Sequence, residues 1–149
     1  MSCPFCSPEI LNCAYDESEH FYAIYNIAPI FPGHSLIITK EHFERFTDIP
    51  RKELTELMPF AQKTIELLTK VFKATDFDIA IQDGFWAGQT INHFHLHLIP
   101  RHENDLPDPG DWYPLFEFND QKIIDSQSRP RHSLENISKI VHMLKSSKK

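Results

Sequence analysis

The sequence predicts an α+β domain in which a mainly antiparallel sheet carries one long amphipathic helix on one face, with a second helix near the C-terminus. Three observations support this fold class. Short β-prone stretches are separated by turn residues, an apolar repeat of helical period occupies residues 50–72, and two more β-prone stretches follow it. Strands grouped on either side of a long helix are typical of α+β domains.

The first strands are predicted in residues 14–39. Residues 14–16 and 21–26 are β-prone and flank the polar turn ESEH, which predicts a hairpin. A Pro-Gly turn in PIFPGHSLIITK then leads into a strand over Ser35–Thr39.

The long helix is predicted from about Pro50 to Phe72. Its apolar residues recur at spacings of three and four, which predicts one buried face formed by Leu54, Leu57, Met58, Ala61, Ile65, Leu68 and Phe72. Beyond it, DFDIAIQDG predicts a strand ending in a glycine turn, GFWAGQTI a loop, and HFHLHLIP the last strong strand. Ser133 is suited to cap a final helix that runs to about Lys145.

Length and charge restrict the class of protein. The 149 residues fit one compact domain, residues 1–149, and the formal net charge of −6 argues against nonspecific nucleic-acid binding, which needs clustered Lys and Arg. No apolar run approaches the roughly 18–20 residues that span a bilayer. The N-terminal MSCPFCSPEI also lacks a basic region followed by an apolar stretch. We therefore expect a cytoplasmic protein with neither a membrane nor a nucleic-acid partner.

The stretch HFHLHLIPR places three histidines at alternate positions. Because side chains alternate across a strand, His93, His95 and His97 should share one face, with successive rings roughly 6.5–7 Å apart. Each imidazole has two polar nitrogens that need partners, so space filling is a poor explanation for all three. Two chemical roles remain open: imidazoles bind zinc, and an imidazole whose second nitrogen is protonated and held by an acceptor is a nucleophile near neutral pH.

The three cysteines are Cys3 and Cys6, which form the pair CPFC, and Cys13. In a reducing compartment a CxxC pair is more often a metal or redox pair than a structural disulfide. No thioredoxin-like βαβ pattern follows this pair, so a metal site is its functional interpretation and free thiols are the alternative. Cys13 is interpreted as a small buried residue.

Three stretches, in order, resemble the signatures of one family. HFHLHLI fits the histidine triad pattern, in which three histidines alternate with apolar residues, and QDGFWAGQTIN and YNIAPIFPGH are similar to the family's two other signature stretches. Over about residues 1–101 the chain therefore resembles the histidine triad (HIT) family, and it looks closest to bacterial zinc-containing members with features of the fragile histidine triad branch. The resemblance implies a HIT-like fold and a nucleotidyl hydrolase or transferase, with residues 102–149 as a loop and C-terminal helix extension.

The resemblance also implies catalytic residues. His95, the middle histidine, would attack the α-phosphorus of a nucleotide, carry the nucleoside monophosphate covalently and release it to water. His97 would steady the phosphate oxygens, and His34, in PGH, would orient the triad from behind. A covalent intermediate on imidazole divides one difficult displacement into two easier ones.

Substrate and metal ligands follow from the same resemblance. Contacts to phosphate, leaving group, bridging oxygens and ribose would come from Gly88, Gln89, Thr90, Gln82 and Asn26, in addition to His97. A structural zinc ion would be bound by the four side chains of Cys3, Cys6, His42 and His93. Members of the family are usually homodimers joined through the long helix and an edge strand, so a homodimer is expected.

Substrate and mechanism stay partly open. Gln82 and the AGQT loop favour a dinucleoside polyphosphate such as diadenosine tri- or tetraphosphate, and a purine nucleoside phosphoramidate is the alternative within the family. Two other classes are a hydrolase whose three histidines bind a catalytic zinc ion and a nucleotide-binding regulatory protein of low turnover. The acidic segment 102–131 could cover a substrate base, contact a partner subunit or be an ordered surface loop, and its aromatic residues are Trp112, Tyr113, Phe116 and Phe118.

Overall fold

The computed structural model describes residues 2–110 and 129–148. In chain order its strands and helices are β1 (Ala14–Glu17), β2 (Phe21–Tyr25), β3 (Ser35–Thr39), α1 (Arg51–Phe72), β4 (Asp76–Ile81), β5 (His95–Arg101) and α2 (Leu134–Ser147). This order of elements is the predicted one. The α+β fold class is therefore confirmed.

The strands form one antiparallel sheet in the order β1-β2-β3-β5-β4. β5 lies inside the sheet, between β3 and β4, and all its residues are buried. Its register with β3 places Leu36 opposite His97 and Ile38 opposite His95. Because side chains on a packed strand are held more firmly than side chains on a loop, β5 is a rigid support for functional groups.

The two faces of β5 have different environments. Leu96 and Leu98 belong to the main core, together with buried residues of both helices, whereas Ile99 belongs to a second, smaller apolar cluster. Since side chains alternate along a strand, His95 and His97 lie on the same face as Ile99. The N-terminal segment and the connection between β2 and β3 contact this histidine face.

One face of α1 is buried, as predicted, but its centre is shifted. The buried residues are Leu57, Phe60, Ala61, Thr64, Leu67 and Leu68. Met58, which was expected among them, is 57% exposed. Neighbouring residues differ by about 100° around a helix, and an apolar repeat alone does not fix which edge of the stripe reaches the core.

The ends of two elements show how local bonds set their limits. Ser133 Oγ accepts a hydrogen bond from Asn136 N at 3.2 Å, so it caps α2 as predicted. β5 begins at His95 rather than at His93, because the chain turns before the strand and His93 N donates to Ile91 O at 2.8 Å. The three histidines are therefore divided between β5 and the turn that leads into it.

A cluster of ion pairs holds the end of β5. Arg101 donates from Nε to Asp105 Oδ2 at 2.7 Å and from Nη1 to Asp78 Oδ2 at 2.8 Å, which ties the following segment to β4. The aromatic residues Trp112, Tyr113, Phe116 and Phe118, for which a covering role was considered, lie outside the described residues. Within residues 2–110 and 129–148, no helix is both long and apolar enough to cross a bilayer.

A histidine–carboxylate cluster joins the β1–β2 hairpin to α1. His20 Nδ1 is bonded to the Glu56 carboxylate, which also accepts a hydrogen bond from Ser18 Oγ at 2.6 Å. The bond to Glu56 raises the pKa of His20 above its ordinary value of 6.5, and the negative charges of Glu53 and Glu19 raise it further. The protonated ring is therefore favoured by the fold.

We expect this cluster to make stability depend on pH. A group whose pKa is higher in the folded state stabilises that state fully below its unfolded pKa, here about 6.5, and loses the effect as the pH rises through the folded value. The stability of the wild type relative to His20→Gln should therefore shrink as the pH rises above 6.5. Urea denaturation over a pH series measures this difference. His142→Gln, on an exposed position of α2, is the control, and an equal pH slope in wild type and His20→Gln contradicts the prediction.

Candidate active site and metal centre

His95 and His97 lie side by side on the histidine face of β5. Their ring centroids are 5.1 Å apart with an interplanar angle of 71°. This is closer than the roughly 6.5–7 Å expected from the spacing along a strand, because the rings meet edge to face instead of standing parallel. The residues are 3% and 0% exposed. Two adjacent buried imidazoles need defined hydrogen-bond partners, and these partners fix the tautomers.

A main-chain carbonyl sets the tautomer of His95. Its Nδ1 lies 2.7 Å from His93 O, and because a carbonyl oxygen can only accept, Nδ1 carries the proton. Nε2 is then the basic nitrogen of the ring. Phe5 packs edge-on against the same ring, with centroids 5.3 Å apart, and restricts its orientation. His95 is therefore held in the form in which Nε2 can act as a nucleophile.

His97 is held in the opposite tautomer through His34. Ile30 N donates to His34 Nδ1 at 3.1 Å, so the proton of His34 resides on its Nε2. That nitrogen lies 2.9 Å from His97 Nδ1, which must accept. His97 therefore carries its proton on Nε2, where it can be donated to an acceptor. His34 lies behind the triad, which is the place that the resemblance implied for it.

Asn26 adjoins this relay. Its Oδ1 accepts a hydrogen bond from Ala28 N at 2.9 Å, and its Nδ2 lies 3.5 Å from His34 Nδ1, the ring nitrogen that carries the lone pair. The structure thus brings four predicted site residues into one contiguous group: Asn26, His34, His97 and His95. Thr90, a fifth candidate, is exposed on the loop between β4 and β5.

Gln89 shapes that loop from inside. Its Oε1 accepts from Gly84 N at 2.7 Å, and its Nε2 donates to Glu44 O and Ile91 O, each at 3.0 Å. The residue is 6% exposed. The amide of Gln89 is therefore occupied by the backbone of the loop and its neighbours. The phosphate contact that the resemblance implied for this residue stays a prediction.

Gln82 packs directly on Gly88 in the same loop. Gly88 has φ +98°, and a Cβ at this position would lie 2.7 Å from Gln82 Nε2. Gln82 Oε1 is buried, with no hydrogen-bond partner among the described residues. A buried amide atom of this kind is suited to meet a ligand group. β4 ends at Ile81 opposite Leu96, so the loop leaves the sheet beside His95.

Four side chains from three parts of the chain converge next to His95. Cys3, Cys6, His42 and His93 have ligand atoms that all lie within 4.8 Å of one another. His93 Nδ1 is 3.4 Å from Cys3 Sγ and 3.5 Å from Cys6 Sγ, and Cys6 Sγ is 3.3 Å from His42 Nδ1. Two thiols and two imidazoles form a donor set that suits tetrahedral zinc, so the four predicted ligands fit a structural zinc ion.

His93 links this centre to the triad. Its Nε2 donates to Thr39 O at 2.8 Å, which leaves Nδ1 with a lone pair facing the thiols. Burial lowers the pKa of His93 and so favours the neutral ring that a metal requires. The carbonyl of the same residue accepts the His95 Nδ1 proton. One residue thus contributes its side chain to the candidate metal centre and its backbone carbonyl to the hydrogen bond with His95.

Residues 8–104 match the sequence profile of the HIT domain. The chain belongs to the HIT domain family. A bis(5'-nucleosyl)-tetraphosphatase of Schizosaccharomyces pombe is 40% identical over 68% of this chain and 56% of that protein. A bis(5'-adenosyl)-triphosphatase of Dictyostelium discoideum is 36% identical over 82% of this chain and 76% of that protein. The adenosine 5'-monophosphoramidase of Saccharomyces cerevisiae is 35% identical over 68% of this chain and 64% of that protein. The chain thus spans little more than half of the first of these relatives.

Solved HIT structures share the fold. A diadenosine triphosphate hydrolase of Plasmodium falciparum, in complex with cyclomarin A, has a TM-score of 0.72 at 27% identity, covering 91% of this chain and 75% of that one. A zinc-bound histidine triad protein of Mycobacterium smegmatis has a TM-score of 0.69 at 27% identity, covering 99% and 93%. The HIT-like fold is therefore confirmed. Membership of a family with hydrolases among its named relatives is confirmed as well.

Two contributors to this HIT site were not identified from the sequence. Phe5, inside the CPFC pair, packs edge-on against His93 and His95, and the Thr39 carbonyl accepts a hydrogen bond from His93 Nε2. The apolar residue between the two cysteines was a signal for the first contact. The second is a backbone contact across 54 residues of sequence, which no side-chain pattern indicates.

Proposed function

We propose that this HIT-family chain is a nucleotidyl hydrolase that cleaves dinucleoside polyphosphates at the α-phosphorus and releases a nucleoside monophosphate. One observation carries the proposal: the hydrogen bonds leave a lone pair on His95 Nε2 and a proton on His97 Nε2, in two rings whose centroids are 5.1 Å apart. A nucleophile next to a hydrogen-bond donor is what attack on a phosphoryl group requires. The relatives named as diadenosine polyphosphate hydrolases, 40% and 36% identical, support this substrate class.

In the first step, His95 Nε2 attacks the α-phosphorus in line with the leaving polyphosphate. The Nε2–P bond forms while the P–O bond breaks, and the electron pair of that bond leaves with the polyphosphate oxygen. The ring becomes cationic, and its Nδ1–H bond to the His93 carbonyl strengthens as this charge develops. The His97 Nε2–H group donates to a phosphate oxygen and stabilises the charge there.

In the second step, water attacks the same phosphorus and the Nε2–P bond breaks. The electron pair returns to Nε2, the proton of the water passes to solvent, and the nucleoside monophosphate leaves. Because His95 keeps its Nδ1 proton in both steps, the ring returns to its starting tautomer. The hydrogen bond to the His93 carbonyl thus leaves His95 in the nucleophilic tautomer at the start of each turnover.

The remaining residues complete the proposed substrate site. The Asn26 amide would bind the ribose hydroxyls, since its carbonyl side is already used by Ala28 N. The Gln82 amide, the Gly88 backbone and Thr90 would contact the phosphates and the leaving group. Gln89 holds the loop in shape.

Gly88→Ala is expected to lower kcat/KM for diadenosine triphosphate by about tenfold, because the new methyl group displaces the Gln82 amide. Gly110→Ala is the matched control: Gly110 has the same φ of +98° but nothing within 4 Å of a Cβ. Both variants carry the backbone strain of a left-handed residue. Steady-state kinetics of the two variants separate the effect of backbone strain, which both share, from the effect of the contact between the new methyl group and Gln82. Equal activity in both would show that the contact with Gln82 is unimportant.

The test of the proposed function is detection of the covalent intermediate. The protein is mixed briefly with diadenosine triphosphate, quenched without acid, and analysed by intact mass and peptide mapping. We expect one adenylyl group on the peptide that carries His95, lost after mild acid treatment as a phosphoramidate is. Hydrolysis without any adduct, under conditions where product release shows a burst, would contradict the mechanism.

A purine nucleoside phosphoramidase is the second candidate. The yeast phosphoramidase relative, 35% identical over 68% of this chain, favours it, and His95 would attack the same phosphorus with an amine as leaving group. A comparison of kcat/KM for diadenosine triphosphate and adenosine 5'-phosphoramidate distinguishes the two. Our proposal predicts the higher kcat/KM for diadenosine triphosphate.

A catalytic metal at the triad is less well supported. In the described part of the chain two groups of side chains could hold an ion, Cys3, Cys6, His42 and His93 in one and Glu19, His20 and Glu56 in the other, and neither His95 nor His97 joins either group. We propose that the first four residues hold a structural zinc ion, which would fix the N-terminal segment and Phe5 against the triad. A cytoplasmic location, where thiols stay reduced, belongs to the same proposal.

Homodimer formation is also part of the proposal. β4 is an edge strand, and its Ile79 is 54% and Ile81 36% exposed. On α1, Met58 is 57% exposed. Exposed apolar residues on an edge strand and a long helix are suited to a partner subunit. Light scattering on the purified chain tests this expectation directly.

A further inference from the structure

An aromatic pair stands exposed on the loop between β4 and β5. Phe85 is 78% exposed and Trp86 97% exposed. The two rings contact each other edge to face, with centroids 5.3 Å apart. At this exposure neither ring is packed into the core, so the pair offers a large aromatic surface to a ligand.

The backbone beneath the pair is ordered by hydrogen bonds. Gly88 N donates to Phe85 O at 3.0 Å, and Ala87 N and Gln89 N donate to Gly84 O at 3.0 and 3.1 Å. The Gln89 side chain accepts from Gly84 N on the inner side of the turn. The rings are therefore presented by a fixed turn, which reduces the entropy lost when a ligand binds them.

The same loop carries the groups proposed to bind phosphate. Gly88 follows Trp86 by two residues and packs on Gln82, and β4 ends beside the part of β5 that carries His95. Gln82, the aromatic pair and Gly88 therefore belong to one short segment, residues 82–88, which leaves the sheet at the His95 end of β5.

An arginine packs on Gly84, the residue that precedes the aromatic pair. The Arg45 guanidinium packs on Gly84, where a Cβ would lie 2.8 Å from Nη1. Its Nε is 3.5 Å from Asp83 Oδ2, and Asp83 Oδ1 accepts from Phe46 N at 2.8 Å. The Arg45–Asp83 pair carries no net charge, but its guanidinium is 53% exposed and is the group of the pair that suits an anionic phosphate chain.

We propose that Trp86, with Phe85 against its edge, stacks on the base of the leaving nucleotide. The inference rests on the proposed function, because only a dinucleoside polyphosphate carries a second base beyond the bond that is cut. Stacking of bases on aromatic side chains tolerates any base, so the platform selects a nucleoside end rather than one base. Substrates whose leaving group ends in a nucleoside are therefore preferred over substrates with a small leaving group.

The first test compares two substrates in Trp86→Ala. We expect kcat/KM for diadenosine triphosphate to fall about tenfold, chiefly through KM, while kcat/KM for adenosine 5'-phosphoramidate, whose leaving group has no base, is unchanged. Trp86→Phe should recover most of the loss. Leu134→Ala, at a residue 80% exposed on α2, is the control.

Three results would overturn the inference. They are no change for either substrate, an equal loss for both, and a change of oligomeric state in Trp86→Ala, which would assign the pair to a subunit interface. If the wild type hydrolyses no dinucleotide, the proposed function itself fails, and this outcome is distinct from the others.

A second test does not depend on turnover. Diadenosine triphosphate is added to His95→Ala, and tryptophan fluorescence is compared with that of His95→Ala combined with Trp86→Phe. We expect quenching that requires Trp86 and that AMP alone does not produce, because AMP has no second base. Equal quenching by AMP and the dinucleotide, or quenching that survives Trp86→Phe, contradicts stacking of the leaving base on this residue.

Discussion

His95→Ala should hydrolyse diadenosine triphosphate about 10⁴-fold more slowly than the wild type, or slower still. Alanine removes the nitrogen that would form the bond to phosphorus, and loss of a covalent nucleophile typically costs several orders of magnitude in kcat. KM should change far less, because the phosphate and ribose contacts proposed for His97 and Asn26 remain. The measurement is release of AMP under steady-state conditions.

His97→Ala serves as the comparison for this result, and His142→Ala serves as the control. His97→Ala should lose less activity than His95→Ala, because it removes a charge-stabilising donor but leaves the nucleophile. His142→Ala, at an exposed position of α2, should match the wild type. Near-normal hydrolysis by His95→Ala would overturn the nucleophile assignment and would make a water nucleophile the preferred explanation.

Removal of the proposed structural zinc ion is expected to lower Tm by about 10 °C. A structural ion that binds the folded state at concentrations about a thousandfold above its dissociation constant stabilises it by roughly 4 kcal/mol, and a domain of this size shifts by a few degrees per kcal/mol. Cys6→Ser should show the lower Tm from the start and should no longer respond to a chelator. Differential scanning calorimetry and elemental analysis measure the two effects.

Cys13→Ala is the control for this experiment. Cys13 is buried away from the four ligands, so its replacement can change Tm but should leave the response to the chelator intact. A purified wild type that contains no stoichiometric metal, or whose Tm ignores the chelator, would contradict the zinc proposal without affecting the assignment of His95.

Which residues share the face of β5 that carries the site could be predicted from the sequence, because this depends on local spacing. Alternate histidines on a strand place His95 and His97 on one face, and this needs only the geometry of a strand. The spacing of the CPFC pair indicated half of a metal site, whereas His42 and His93 could be named as candidate ligands only through the resemblance to zinc-containing members of the family.

The tautomers could not be predicted, because they depend on contacts between distant residues. His34 Nε2 reaches His97 across 63 residues of sequence, and only the register of β3 beside β5 brings the two together. Gln89 illustrates the same limit. Its side-chain amide is of a type that suits phosphate binding, but in the structure three backbone groups form hydrogen bonds with it. Met58 shows that an apolar period fixes a helical face only to within one neighbouring position.

The double use of His93 has a consequence for how such a protein can diverge. His95 is oriented by the carbonyl of residue 93, and this group is present whatever side chain stands there. If the four candidate ligands were exchanged for other stabilising contacts, the orientation of His95 would therefore be kept, provided the turn before β5 keeps its shape. The side chain and the carbonyl of residue 93 have different partners, so a mutation at this position changes the first and leaves the second in place.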